Sequence, residues 1–180
     1  MNVALALGAI FAQAATIFLL ATYFLRRKIP FFATVSCGIN TWGTALAFLV
    51  TLAGVLGSLY YSEVLGFVPC GLCWVQRIFL YPQVILLALA LWRQEGRLIA
   101  DYSFALSVAG GAVALYQHFI QMGGSSFLPC RAVAQGADCA QRILFEFGYI
   151  TFPLVAFSGF LFIAVLMLFL RSSELVSKAA

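Results

Sequence analysis

Five long apolar runs constrain this chain more than any other feature of its sequence. Each has about 20 residues, enough for a helix to cross the hydrocarbon core of a bilayer. Lipid offers no partner for exposed backbone polar groups, so each run predicts a transmembrane helix, which satisfies its own. Hydrophobic residues make up 64% of the 180 residues and charged residues 9%, which excludes an ordinary soluble domain. The predicted spans are Val3–Leu25, Thr44–Tyr61, Trp74–Trp92, Ile99–Ile120 and Phe152–Leu170.

The first run has the position of a secretory signal but not its composition. No basic region precedes it, it is long for the apolar core of a signal, and Arg26-Arg27-Lys28 follows it. We therefore expect a retained helix and one small domain whose core lies in the bilayer.

The distribution of the ten Lys and Arg residues predicts the orientation, because short cytoplasmic loops carry an excess of them. With five alternating spans, one side receives Arg26, Arg27, Lys28, Arg93, Arg97, Arg171 and Lys178. The other side receives Arg131 and Arg142 in loops, with Arg77 just inside a span. The N-terminus is thus predicted to be extracytoplasmic and the C-terminus cytoplasmic. This bias accounts for most of the net charge of +4, so no nucleic-acid partner is needed.

The cysteines agree with that orientation, although it was assigned without them. Four of the five fall on the predicted extracytoplasmic side, where disulfides persist. They are Cys70, Cys73, Cys130 and Cys139. Cys37 falls on the cytoplasmic side and is interpreted as a small, reduced apolar residue.

The pair Cys70-Gly-Leu-Cys73 lies where one apolar run has ended and the next begins. Pro69 and Gly71 oppose continuation of the preceding helix, which places the pair at or just before a helix N-terminus. The partial positive charge of that end stabilises a thiolate. A Cys-X-X-Cys pair in this position is typical of thiol–disulfide exchange.

Arg77 follows Cys73 by four residues, so on a helix both project from one face. A guanidinium keeps its charge, and at membrane depth it is a candidate functional group. It can stabilise a Cys73 thiolate and donate to a carbonyl oxygen of a lipid-soluble acceptor. The alternative is an arginine that reaches the interface by snorkelling.

Cys130 and Cys139 form a second pair in the polar loop 121–147, after the flexible composition Gly123-Gly124-Ser125-Ser126. A disulfide in an exposed loop is labile compared with a buried structural one. The positive charge of Arg131 favours a thiolate at Cys130. A Cys₄ zinc site is one alternative, but it would favour two closely spaced cysteine pairs. Two structural disulfides are another, but a Cys-X-X-Cys disulfide encloses only two residues and is more typical of a redox pair. We therefore predict no metal.

The segment Pro69-Cys70-Gly71-Leu72-Cys73-Trp74-Val75-Gln76-Arg77, followed by a loop cysteine pair, resembles the disulfide bond formation protein B (DsbB) family. The similarity is greatest to its short BdbC-like branch and covers roughly Trp42 to Leu170. It implies an all-α integral membrane protein in which the last four spans form a DsbB-like four-helix bundle. The implied divisions are 1–41, an extra helix and cytoplasmic loop; 42–171, the bundle with its redox loops; and 172–180, a cytoplasmic tail.

The resemblance also implies a function: a quinone-dependent oxidoreductase of the bacterial cytoplasmic (inner) membrane. It would reoxidise a DsbA-like thioredoxin-fold partner and pass the electrons to ubiquinone or menaquinone, supporting disulfide formation in exported proteins. By position, Cys130 accepts the partner's attack, Cys139 passes electrons to Cys70, and Cys73 faces the quinone. Arg77 matches the arginine that supports quinone binding. His118 and Trp74 are looser candidates for the same pocket.

Two other functions compete with this one. Vitamin K epoxide reductase-like proteins also couple loop cysteines to a Cys-X-X-Cys pair, but there the loop cysteines come first in the chain. A non-enzymatic membrane subunit with structural disulfides, or a transporter, is the other alternative. The spans carry few polar residues for a transport path, apart from Arg77, Asp101 and His118 near their ends. The extra first span and the short spacing of the loop pair depart from the typical DsbB member.

Overall fold

The computed structural model describes residues 2–93, 96–125 and 138–178. Five long helices account for most of them, and a two-stranded hairpin precedes the last helix. The helices are α1 (Asn2–Leu25), α2 (Pro30–Leu59), α3 (Gly71–Arg93), α4 (Gly96–Gln121) and α5 (Phe152–Lys178). The strands are β1 (Phe145–Glu146) and β2 (Ile150–Thr151), and a π-helical turn, Tyr60–Val64, continues α2.

All five helices are long and apolar enough to cross a membrane, which confirms the predicted number of spans. Large apolar side chains cover their outer surfaces, as expected where the neighbour is lipid. Phe11, Ile85 and Trp92, for example, are 76%, 65% and 81% exposed. The protein is therefore a multi-pass membrane protein.

The second helix begins at Pro30, well before the predicted start at Thr44. Proline is tolerated in the first helical turn, because its missing N–H would have no intrahelical partner there. The predicted start was too late because the local hydropathy is lowered by Ser36, Asn40 and Gly43. Only residues 26–29 therefore separate α1 from α2.

The last four helices form the predicted bundle. Each of α2, α3, α4 and α5 packs against its two neighbours in a closed ring, and α1 packs outside this ring, mainly on α5. Helix α4 lies close to α5 at Gly110, where an added Cβ would lie 2.5 Å from Phe160 Cζ. Glycine thus allows α4 and α5 to touch. Helix α5 contacts three helices and has the largest buried share of the five spans.

A buried polar cluster joins α3 to α4 inside the bundle. The fully buried Gln83 accepts hydrogen bonds at Oε1 from Ser103 Oγ (3.0 Å) and Ser107 Oγ (3.1 Å). Its amide nitrogen donates to the Phe79 carbonyl at 2.9 Å. Interhelical hydrogen bonds of this kind hold membrane helices together.

The two ends of the bundle differ in their polar contacts. At one end, here called the basic end, Arg26 Nη1 donates to Ser172 Oγ at 2.9 Å and Arg171 pairs with Asp101 at 2.6 Å. The other end, here called the cysteine end, carries the start of α3 with its Cys-X-X-Cys pair. There Tyr61 Oη donates to Asn2 Oδ1 at 2.9 Å. The residue that follows α1 and residues of α4 and α5 thus lie together at the basic end, as five alternating spans require.

Two local features at the cysteine end were not predicted. The hairpin pairs Phe145 with Thr151 and adds a small sheet to a fold expected to be all-α; its turn uses positive φ at Phe147 (52°) and Gly148 (78°). Gly123 and Gly124, expected to be only a flexible linker, also cap α4. Their N–H groups donate to the carbonyls of Ile120 and Phe119, both at 3.0 Å, in a Schellman motif.

Candidate redox site

Cys70 immediately precedes α3 and Cys73 lies in its first turn, because α3 begins at Gly71. The backbone N–H groups of Cys73 and Trp74 point back at Cys70, donating to its Sγ (3.3 Å) and its carbonyl (3.1 Å). Both cysteines are free thiols, so the structure shows the reduced form of the pair. This matches the predicted position at a helix N-terminus, where a thiolate is stabilised.

Gln117 of α4 contacts both sulfur atoms of the pair. Its Nε2 lies 3.1 Å from Cys70 Sγ and 3.4 Å from Cys73 Sγ. Gln76 of α3 fixes this orientation by donating from Nε2 to Gln117 Oε1 at 2.6 Å. Both glutamines are buried, so the amide donors act where water cannot replace them.

Gln117 and Gln76 were not among the site residues predicted from the sequence. The available signal was their position: each is a polar residue within a predicted span, close to the end of the bundle that carries the cysteines. Gln117 and Gln121 are four residues apart, so they also share one face of α4. Glutamines near span ends are common enough at interfaces that this signal alone does not identify a site.

The two thiols of the reduced pair differ in their surroundings. The pKa of Cys70 is raised from its ordinary value, first by its hydrogen bond with Cys73 and then by burial. Cys70 therefore keeps its proton at neutral pH. A negative charge on the pair is expected at Cys73, which lies in the first turn of α3 near amide donors.

Arg77 lies inside the bundle and is 8% exposed. Its Nε donates to Ser58 Oγ at 2.8 Å, and its Nη2 donates to the Ser58 carbonyl and Ser62 Oγ, both at 2.9 Å. Nη1 has no hydrogen-bond acceptor among the described residues. The side chain is therefore held by α2 and its π-helical turn, a local irregularity often found at functional sites.

A cavity of about 270 Å³ opens beside the cysteine pair. Its polar part is lined by Ser58, Tyr61, Ser62, Cys70, Cys73, Gln76, Arg77, Gln117, Gln121, Asp138 and Gln141. Apolar residues line the rest, including Val50 of α2, Leu80 of α3, and Phe160 and Ile163 of α5. The cavity thus joins a charged, thiol-bearing head to an apolar body within the bundle.

The second cysteine pair is described only in part, because Cys130 lies outside the described residues. Cys139 is disulfide-bonded and buried. Gln121 Nε2 donates to the carbonyls of Cys139 (3.3 Å) and Gln141 (3.0 Å), which fixes this part of the loop on α4. Gln117 and Gln121 lie one helical turn apart, so the same face of α4 holds both redox segments.

The remaining predicted site residues lie beside the cavity rather than in its lining. His118 Nδ1 is 2.8 Å from Thr151 Oγ1, a contact between α4 and β2. The Trp74 side chain is 53% exposed, and the Arg77 guanidinium carbon lies 5.1 Å from its ring centroid. Their roles in quinone binding stay predictions. In the structure, His118 connects α4 to β2, and Trp74 packs against the Arg77 guanidinium.

Comparison with known proteins identifies the family. The sequence model of the family "Disulfide bond formation protein DsbB" matches residues 40–170. The chain belongs to the DsbB family. In this DsbB-family protein the matched residues include all of α3, α4 and the π-helical turn, and most of α2 and α5. Helix α1 lies outside the match.

Named relatives agree with this assignment. "Probable disulfide formation protein C" of Bacillus cereus is 39% identical over 127 residues, 71% of this chain and 86% of that protein. "Disulfide bond formation protein C" of Bacillus subtilis is 31% identical over 128 residues, 71% and 91% of the two chains. "Probable disulfide formation protein" of Metapseudomonas resinovorans is 34% identical over 134 residues, 73% and 91%. No solved structure matches the chain. The family makes this DsbB-like protein an oxidoreductase of disulfide bond formation.

Proposed function

We propose that this protein reoxidises a DsbA-like thioredoxin-fold partner and passes the electrons to a membrane quinone. The observation that carries this proposal is the cavity in which Cys73, the Arg77 guanidinium and an apolar chamber meet. Thiols at the mouth of an apolar cavity in a membrane bundle favour a lipid-soluble electron acceptor.

The residues present fit a quinone. A quinone has an apolar ring and tail with two carbonyl oxygens, and the cavity combines apolar walls with one cationic donor. Nη1 of Arg77 is available to a carbonyl oxygen, while Nε and Nη2 are held by α2. A quinone bound there supplies a two-electron acceptor of high potential.

The electron path begins at the loop. A thiolate of the reduced partner attacks the Cys130–Cys139 disulfide at Cys130, and the partner leaves as a disulfide with the loop pair reduced. Cys139 then attacks Cys70 of the Cys70–Cys73 disulfide, which forms a Cys139–Cys70 mixed disulfide and releases Cys73 as a thiolate. Cys130 attacks Cys139 of this mixed disulfide, which re-forms the loop disulfide and releases Cys70 as a thiol. Two electrons and two protons pass to the quinone, which becomes a quinol, and the Cys70–Cys73 disulfide re-forms.

The groups around Cys73 support its place at the end of this path. The raised pKa of Cys70 keeps the proton on that sulfur, and Gln117 donates to both sulfurs. Each exchange step needs a leaving thiol that is stable as a thiolate. A stabilised Cys73 meets that requirement beside the cavity.

We propose that the cysteine end faces the extracytoplasmic side of the bacterial cytoplasmic membrane. The basic end carries Arg26, Asp101 and Arg171, and the positively charged segment 26–28 next to it favours the cytoplasm. The redox cysteines would then lie where exported proteins acquire disulfides.

A coupled assay tests this function. Purified protein is mixed with a reduced thioredoxin-fold partner and a short-chain quinone, and the quinone absorbance is followed together with the partner's thiol content. We expect one quinone reduced for each partner disulfide formed. Partner oxidation without quinone reduction would reject quinone as the acceptor.

A further inference from the structure

Helix α1 lies outside the residues that the DsbB family model matches, yet it reaches the cavity at the cysteine end. Leu5, in its second turn, lines the cavity with residues of α2, α3 and α5. Ala6 and Ala9 are buried and pack with Leu144 and Ile150, which seats this end of α1 against the hairpin and its flanking loop.

Asn2 connects the start of α1 to the π-helical turn. Its Oδ1 accepts a hydrogen bond from Tyr61 Oη at 2.9 Å. The Tyr61 ring lines the cavity and packs edge-on against Phe152 (4.5 Å between centroids) and stacks on Phe67 (6.1 Å). Tyr61 is only 9% exposed, and its bond to Asn2 is partly buried.

The same turn also holds the cationic group of the cavity. Ser62, next to Tyr61, accepts a hydrogen bond from Arg77 Nη2. The segment that follows the turn, including Phe67 and Pro69, lines the cavity and leads directly to Cys70. Asn2 is therefore bonded to the π-helical turn, whose position determines both the shape of this cavity wall and the placement of the Arg77 guanidinium.

We propose that α1 is part of the quinone site: Leu5 forms one wall, and Asn2 is a positioning residue that holds Tyr61 against the cavity. This inference rests on the proposed function, because it assigns the cavity to a quinone. It gives the first helix a role in acceptor affinity, separate from the thiol exchange in the loop.

The first test compares the same substitution at two leucines of α1. Leu5→Phe adds bulk to the cavity wall, whereas Leu7→Phe adds it to a side chain that is 55% exposed and absent from the lining. We expect Leu5→Phe to raise the quinone KM about fivefold or more, as overpacking of a filled site does. Leu7→Phe should keep the wild-type KM.

Formation of the mixed disulfide with the reduced partner, measured without quinone, controls for folding. That reaction takes place in the loop, so it should be unchanged in the Leu5 variant. Equal quinone KM values for Leu5→Phe and Leu7→Phe, in a protein whose wild type reduces quinone, would overturn the inference alone. A wild type that reduces no quinone would overturn both the inference and the proposed function.

A double-mutant cycle tests Asn2 and Tyr61. Asn2→Ala and Tyr61→Phe each remove the same hydrogen bond, and each should raise the quinone KM about two- to tenfold with little change in kcat. The double variant should show no more than the larger single effect, because interacting residues are not additive. Additive effects, or no effect in either single variant, would reject Asn2 as a positioning residue.

Discussion

The side-chain amide of Gln117 donates to the sulfur of Cys70 at 3.1 Å, which ties the end of α4 to the start of α3. The same nitrogen lies 3.4 Å from Cys73 Sγ, so one residue contacts both atoms that make and break the disulfide. In a buried site such donors are already oriented when charge develops on a sulfur, which is how preorganised groups accelerate a reaction.

Replacement of Gln117 by leucine should therefore slow the enzyme. A hydrogen bond to a charged group contributes about 1.5–3 kcal/mol, so we expect turnover with partner and quinone to fall about tenfold or more. Gln83→Leu is the matched control, since Gln83 is a buried glutamine between the same helices and its hydrogen-bond partners among the described residues are Phe79, Ser103 and Ser107. Wild-type turnover by folded Gln117→Leu protein would show that the amide has no role.

Arg77→Met should weaken quinone binding, because it removes the only cation in the described lining of the cavity. We expect the quinone KM to rise about tenfold, in line with the loss of a charged hydrogen bond. Arg77→Lys should lie between the two, since lysine keeps the charge without the planar set of donors. Ser62→Ala keeps the charge but removes one of the hydrogen bonds that hold the guanidinium, so it tests how far the position of Arg77 matters. An unchanged quinone KM in Arg77→Met would remove Arg77 from the site.

Two glycines of α2 offer a matched test of whether the quinone occupies the cavity. A Cβ added at Gly57 or at Gly38 meets no atom within 4 Å, but only Gly57 is in the cavity lining. We expect Gly57→Leu to raise the quinone KM or abolish quinone reduction, while partner oxidation in a single turnover persists. Gly38→Leu, in the same helix, should match the wild type. If both variants behave alike, the quinone does not occupy this cavity.

The order of the loop cysteines can be read from a trapped intermediate. In a Cys139→Ser variant, the partner's attack at Cys130 has no second loop thiol to resolve it, so we expect a stable mixed disulfide through Cys130. Gel electrophoresis without reductant and mass spectrometry of the linked peptides measure it. The control is Cys130→Ser, which should form little of this complex. A complex that forms instead through Cys139 reverses the proposed relay.

Much of the fold was accessible from the sequence, because lipid imposes a simple rule on helix length and composition. The number of spans and the end of α1 at Leu25 followed from the apolar runs, and the predicted end of the fourth span at Ile120 lies one residue before the end of α4 at Gln121. The start of α2 at Pro30 did not, since Ser36, Asn40 and Gly43 lower the local hydropathy although the helix continues through them. The small hairpin was also missed, as it has two residues per strand and an aromatic residue, Phe147, at positive φ.

The site was predictable where the chemistry resides in short sequence motifs. Cys70, Cys73 and Arg77 lie within eight consecutive residues, and the structure places all three in the same cavity lining. Gln117 was missed because its contact with Cys70 joins residues 47 positions apart. Leu5 and Asn2 were missed for the same reason, since only the packing of α1 brings them to this end of the bundle.

The most direct measurement of the central claim is a single turnover with reduced protein and quinone, without any partner. A Cys130→Ser, Cys139→Ser double variant keeps three cysteines, which are the Cys70–Cys73 pair and the single Cys37. When this reduced variant meets excess quinone without oxygen, the account predicts one quinol and one Cys70–Cys73 disulfide per protein, and no quinol after the further change Cys73→Ser. Full quinol formation in the protein that lacks Cys73, or none in the variant that keeps the pair, would contradict the account.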